Sequence, residues 1–245
     1  MRFSLRGTMA LFGVGLVAQC MQVSEGIEVD IAYQPAATPA AVRTDLGYRI
    51  RLERALMAIG SVELIRCDNF VLDAWTLFAP ARASAHQLAT PTSLGVPLVI
   101  DLMGSAGAPQ LAGTLRPPPG RYCGIRVLGM PADNDAEGLT PENNDMREHS
   151  VLVEGQAEDP AGGEPVAFIL RLTEVLDCEM PFDRPMVFDR PVLESITIQI
   201  DQTGWFDGIN LADFALTDSS AAQQRIRDNV RSSLQAVLSQ PDDGP

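Results

Sequence analysis

The sequence predicts an all-β protein, an antiparallel β-sandwich of the immunoglobulin or transthyretin kind, carrying one C-terminal amphipathic helix. Three observations predict it. Short segments alternate apolar and polar residues with period two, the spacing of a strand with one buried face. Turns rich in Gly and Pro separate these segments. Only one stretch, near the C-terminus, keeps its apolar residues at helical spacing. No repeat of roughly 20–50 residues recurs, which argues against a propeller or solenoid.

The elements follow in order. Ile27, Val29 and Ile31 alternate with Glu28 and Asp30, placing a first strand within 25–33. Pro and Ala crowd 34–41, which reads as a connection. Tyr48, Ile50 and Leu52 alternate with Arg49, Arg51 and Glu53, and the pattern continues through Met57, Ile59, Val62 and Leu64 to Cys67. This is either two strands or one long bent strand, with Gly60 at the kink. The apolar run 96–102 fits a strand covered on both faces. A short strand is expected at 111–115. Arg116-Pro117-Pro118-Pro119-Gly120 is a rigid reversal, because proline fixes φ and glycine permits the turn. Tyr122, Ile125 and Val127 mark a strand over 121–128.

Segments 151–156 and 166–172 form a hairpin around Asp159-Pro160-Ala161-Gly162-Gly163. Ile196, Ile198 and Ile200 alternate with Thr197, Gln199 and Asp201, and Trp205-Phe206 then plug the end of the core. Ser220 and Gln223 suit a capping box. Beyond them Ile226, Val230, Leu234, Val237 and Leu238 predict a helix over 221–238 that packs on the sandwich. The expected organisation is an export leader over 1–20, a tether and first strand over 21–44, and the sandwich domain over 45–240.

The chain has 245 residues, and 46% are hydrophobic, enough for a real core. Arginine supplies all 18 basic residues, a usage that speaks of a GC-rich genome and hence of codons rather than function. Against 32 acidic residues the net charge is −14. Such a polyanion repels nucleic acid and anionic lipid, which excludes DNA, RNA and polybasic membrane docking.

Arg2 and Arg6 precede an uncharged apolar stretch, 7–18, and Cys20 follows. A positive region, a short apolar region and a processing site form a secretory signal. The stretch is too short to span a bilayer, which takes about 20 apolar residues. The expected location is therefore the periplasm or the outer membrane. Val17-Ala18-Gln19-Cys20 resembles a bacterial lipobox, although Gln19 stands where that pattern has Gly, Ala or Ser. The resemblance implies lipidation of Cys20. Cys67, Cys123 and Cys178 remain, and an oxidising compartment favours one disulfide among them. Cys67 ends one predicted strand and Cys123 begins another, so Cys67–Cys123 is the favoured pair.

No HExxH, GxSxG, Walker or GxGxxG motif is present, and the chain has only two histidines, so no enzymatic activity is expected. His86 lies in a long loop between Cys67 and Val96, and His149 immediately precedes a strand. They read either as ordinary loop histidines or as a shared copper or zinc site, with Met146 adding a soft thioether for copper. Asp133, Asp135 and Glu137 form the densest oxygen-ligand stretch. It reads as a solvated acidic loop or as a cation loop outside the EF-hand pattern.

The order of pieces carries a resemblance. Val62-Glu63-Leu64-Ile65-Arg66-Cys67 is followed by Val99-Ile100-Asp101-Leu102, Pro119-Gly120-Arg121-Tyr122-Cys123 and Pro131-Ala132-Asp133-Asn134. Met146 then leads into Leu152-Val153-Glu154-Gly155, and Trp205-Phe206 comes late. This series resembles the MbnP-like periplasmic copper-binding proteins of methanobactin-type operons, and also an uncharacterised domain of bacterial lipoproteins. The first resemblance implies an exported β-sandwich that binds copper beside a dihaem peroxidase-like partner. His149 and Met146 fall in the matching segment, and His86 in the earlier loop. Where that family carries tryptophans after the methionine, this chain has Arg147, Glu148 and His149. Two functional readings stand: a non-catalytic metal-binding envelope lipoprotein, or a structural or adhesive sandwich that contacts another protein without metal.

Overall fold

Period-two alternation places the strands of both sheets. The computed structural model describes residues 26–37, 41–67, 89–95, 97–104, 107–210 and 220–239. In it, β1 (Ile27–Pro35) buries Ile27, Val29, Ile31 and Tyr33 on one face. It pairs with β6 (Gln110–Leu115) on one side and β11 (Val192–Ile200) on the other, and β12 (Leu234–Ser239) completes a four-stranded sheet in the order β12-β11-β1-β6. The β1–β11 pair is parallel, so this sheet is mixed, whereas β1–β6 and β11–β12 are antiparallel.

The facing sheet is organised by β3 (Arg49–Arg66), the single long bent strand of 18 residues. With β7 (Gly120–Gly129), β8 (Val151–Glu158), β9 (Val166–Leu172) and β10 (Leu176–Phe188) it gives the order β10-β7-β3-β8-β9. Three short strands, β2 (Val42–Arg43), β4 (Ser93–Leu94) and β5 (Leu98–Asp101), pair along β3. The β3–β7 register shifts between Ile59 and Ser61, so Gly60 is the bulge that its sequence position suggested. The architecture is the expected all-β sandwich with one C-terminal α-helix among the described residues.

The inner faces of the two sheets make the main core. It joins Ile31 and Ile198 of one sheet to Met57, Ile125 and Val153 of the other. Trp205 and Phe206 close one end, both buried, with Phe206 edge-on to Phe168 at 5.3 Å between ring centroids. Cys67 and Cys123 form the favoured disulfide, with their Cα atoms 4.9 Å apart, and tie the end of β3 to β7.

The predicted helix over 221–238 is corrected. Helix α1 (Ser220–Ser232) ends early, and the chain turns at Ser233 into β12. The apolar set fits both periods. Ile226, Val230 and Leu234 follow helical spacing, while Leu234, Ala236 and Leu238 share one face of a strand. The strand wins after Ser233 because β11 offers a ladder of backbone partners from Ser195 to Ile200. The turn itself is locked. Trp205 Nε1 donates to Ser233 Oγ at 2.8 Å, and Asn229 Nδ2 donates to the carbonyls of Trp205 and Asp207. The sequence reading also assigned no strand over 176–188, where β10 lies. The leader over 1–20, Cys20, Trp75 and His86 fall outside the described residues. No helix among the described residues is long and apolar enough to cross a membrane.

Candidate functional site

The segment that carried most of the sequence-predicted ligands, residues 130–150, runs over the outer face of the β3 sheet as a strap. Leu56 and Ala58 of β3, Val99 of β5 and Leu152 of β8 point away from the main core and are covered by Ala132, Ala136 and Met146 of the strap. Met146 is therefore fully buried among apolar side chains. Its thioether fills a small second core, a packing role common for methionine.

Polar contacts hold the strap down. Arg54 grips Asp145 with two nitrogens, at 2.7 and 2.6 Å, and also donates to the Glu142 carbonyl. That partnership holds the Asp145 carboxyl below its ordinary range, the hydrogen bond from Arg54 being the main cause. Glu137 exchanges backbone hydrogen bonds with Pro97 and Val99, which fastens the strap to β5. At Gly138 (φ 79°) a Cβ would stand 2.5 Å from the Val99 carbonyl oxygen, so only glycine allows this approach.

His149 is half-buried where the strap enters β8, and its Nδ1 lies 2.7 Å from the Arg147 carbonyl oxygen. Asp133 is half-buried, while Asp135 and Glu137 are exposed along the same strap. The structure thus puts Met146, His149, Asp133, Asp135 and Glu137 on one excursion, but it separates the methionine side chain from solvent. Among the described residues no group of three His, Cys, Asp or Glu side chains is placed to hold a metal ion.

A different site stands on the opposite margin of the molecule. β10 ends one sheet and β12 ends the other, and between these two edges runs an open cleft of about 630 Å³, bounded at one end by α1. Its floor is Cys178, Met180, Leu234 and Ala236, and its rim carries Asp177, Glu179, Asp183 and Asp228 with, among the described residues, the single cation Arg231. Neighbours of both parities on β10 and β12 line it, so the cleft follows the strand edges themselves. Asp183 sits in a bulge of β10, where residues 182–185 stand opposite Cys123 alone.

Two of the rim carboxylates already have partners. Asp177 accepts from Arg126, which lowers its carboxyl below the ordinary range, and Asp228 lies 3.8 Å from Arg231. Glu179 and Asp183 are exposed. Burial pushes the Cys178 thiol up to about 11, so it stays protonated at neutral pH and lacks the thiolate character of a nucleophile. The cleft therefore offers an apolar floor, two strand edges that pair with no further strand among the described residues, and net negative charge.

The sequence pattern does not predict this cleft, because it marks neither β10 nor β12 as a strand. The signal was present in Leu176, Cys178 and Met180 alternating with Asp177 and Glu179. Comparison with known protein families, with curated proteins and with solved structures finds no match.

Proposed function

We propose that this chain is a non-catalytic, exported β-sandwich of the cell envelope that works by holding an extended basic segment of another protein in the β10–β12 cleft. The observation that carries the reading is the cleft between two sheet edges, about 630 Å³ in volume, with an apolar floor and four carboxylates against one arginine on its walls. An added strand finds backbone partners along a sheet edge, and pockets for alternate side chains give selectivity. Lysine and arginine side chains lay their methylene stems on apolar surface and keep the charged head at an acidic rim. The same acidic rim disfavours nucleic acid and anionic lipid as occupants. Export, and anchoring through a lipidated Cys20, belong to this proposal on the strength of the leader sequence.

The metal-binding alternative rests on His86, His149 and Met146, and the apolar burial of Met146 weighs against its thioether as a ligand. One experiment separates the two readings. Full-length protein purified from the periplasm is assayed for bound copper and zinc, then titrated by calorimetry with a seven-residue peptide alternating Arg with Leu or Val. The docking reading expects saturable binding that weakens at least tenfold in Glu179→Arg/Asp183→Arg and falls with added salt. Copper at one equivalent, lost in His149→Ala, together with no peptide binding, sinks it in favour of the metal reading.

A further inference from the structure

The cleft between β10 and β12 has a direction. Both strands begin beside α1. Glu174, just before β10, accepts a hydrogen bond from Arg227 of the helix, and β12 starts directly after the turn at Ser233 that ends it. Both strands also end together. β10 leads through residues 189–191 into β11, and β12 runs antiparallel to β11, so β12 finishes where β10 does. A strand added antiparallel to either edge, the more stable pairing, therefore advances toward α1 and brings its C-terminal end there.

The charges of the cleft are ordered along the same line. Arg231, in the last turn of α1, stands at the near end, and Asp183 stands further along, in the bulge of β10, with Glu179 before it. The Arg231 side chain is partly exposed, and its guanidinium is unengaged. Its Nη1 lies 3.8 Å from Asp228 Oδ1, beyond hydrogen-bond reach, and its Nε is buried with no hydrogen-bond partner among the described residues. Asp177 beside it is already held by Arg126. An unpaired guanidinium presents a planar fork of donors, and a carboxylate can take two parallel N–H bonds from such a fork. A run of basic and apolar residues alone brings no anion to this position.

We infer that the cleft takes the free C-terminus of its partner protein. The terminal carboxylate pairs with Arg231, and a lysine or arginine a few residues before it lies against Glu179 and Asp183. The inference rests on the proposed docking function and adds the direction and the end group of the occupant. Strand direction and charge order agree on it independently, since one follows from sheet topology and the other from side-chain placement.

Calorimetry on the full-length protein tests this with one peptide in two forms. The peptide alternates Arg with Leu, is acetylated at its N-terminus, and carries either a free C-terminal acid or an amide. The acid is expected to bind about fivefold more tightly, the yield of a partly exposed ion pair. General attraction to an acidic cleft predicts the opposite order, because amidation raises the positive charge of the peptide. The wild-type comparison needs no variant. The preference should vanish in Arg231→Gln and survive in part in Arg231→Lys, with urea midpoints reporting that both variants fold. Equal affinity of the two forms, or tighter binding of the amide, overturns the inference and leaves the docking reading standing. A preference undiminished in folded Arg231→Gln overturns it as well, because the carboxylate then has another partner. Binding of neither form sinks the docking reading, and the inference with it.

Discussion

Two apolar clusters lie back to back across β3, and they are closed by different means. The inner one is roofed by a second sheet, so its cover is held by strand ladders and by the Trp205–Ser233 turn. The outer one is roofed by a strap with little regular structure, held by one methionine, one bidentate arginine and a few backbone bonds. A sheet supplies its own backbone partners, whereas a strap must find them singly. The difference teaches that the inner core sets the stability of the whole fold, while the outer core sets only whether the strap stays down. The segment richest in possible metal ligands also covers the sheet.

Four changes break or sharpen this comparison, in descending order of expected effect. Trp205→Ala empties the deepest plug of the inner core and removes the donor to Ser233. A loss of about 3–5 kcal/mol in global stability is expected in urea unfolding, and a smaller loss would mean that the plug is not integral to that core. Reduction of Cys67–Cys123, or Cys67→Ser/Cys123→Ser, is expected to cost about 2–4 kcal/mol, since the bridge closes a loop of sequence separation 56. The measurement is the urea midpoint with and without reductant.

Met146→Ala is expected to cost about 2–3 kcal/mol, with the loss concentrated in the strap. Hydrogen exchange would accelerate at the amides of Ala132, Glu148 and His149, which bond within the strap. Cys178 belongs to the inner core, and its thiol at the cleft floor should be alkylated at pH 8 no faster in this variant than in wild type. Labelling faster than in wild type would show that the two cores are one cooperative unit.

The smallest effect is that of acid. Asp145 has a depressed carboxyl in the folded state, so its contribution is present above the ordinary carboxylate pKa of 3.8 and is lost as pH falls through the lower folded value. The pair is partly exposed, so less than about 1 kcal/mol is at stake. Strap amides should lose protection below pH about 4 before the inner core does. The Arg54→Met variant should show no such strap-specific step, and a step that persists would assign it to another group.

Much of the fold was legible. Alternation in β1, β3, β7, β8, β9 and β11 marked each strand, and Gly60 marked the bulge. The run ending in Val99-Ile100-Asp101-Leu102 was readable as covered on both faces, and indeed Val99 faces the outer core while Ile100 faces the inner one. The stretch Ala55-Leu56-Met57-Ala58-Ile59 carries the same signal, and it could have announced a cover over the outer face. β10 was harder to read, because Pro181, Pro185 and the bulge over 182–185 interrupt its alternation. β12 was hidden by an apolar set that satisfies helix and strand alike.

The site was less legible than the fold. His149, Met146 and the acids over 133–137 drew attention by residue type, but residue type does not say whether a side chain faces solvent or a sheet. The cleft arises where the edge strands of two sheets come close without pairing, and those strands are separated in sequence by more than forty residues.

By itself the sequence determined most of the extended segments, though not β10 or β12, and which faces they bury, and it favoured Cys67–Cys123 as the pair. The strands follow from local period and turn chemistry, which act over a few residues. Only the tertiary structure decided that Met146 is a core residue, that the helix yields to a strand at Ser233, and that the open margin lies between β10 and β12. Each depends on which distant backbone or apolar surface is available as a partner, and that is fixed by sheet order rather than by any local pattern.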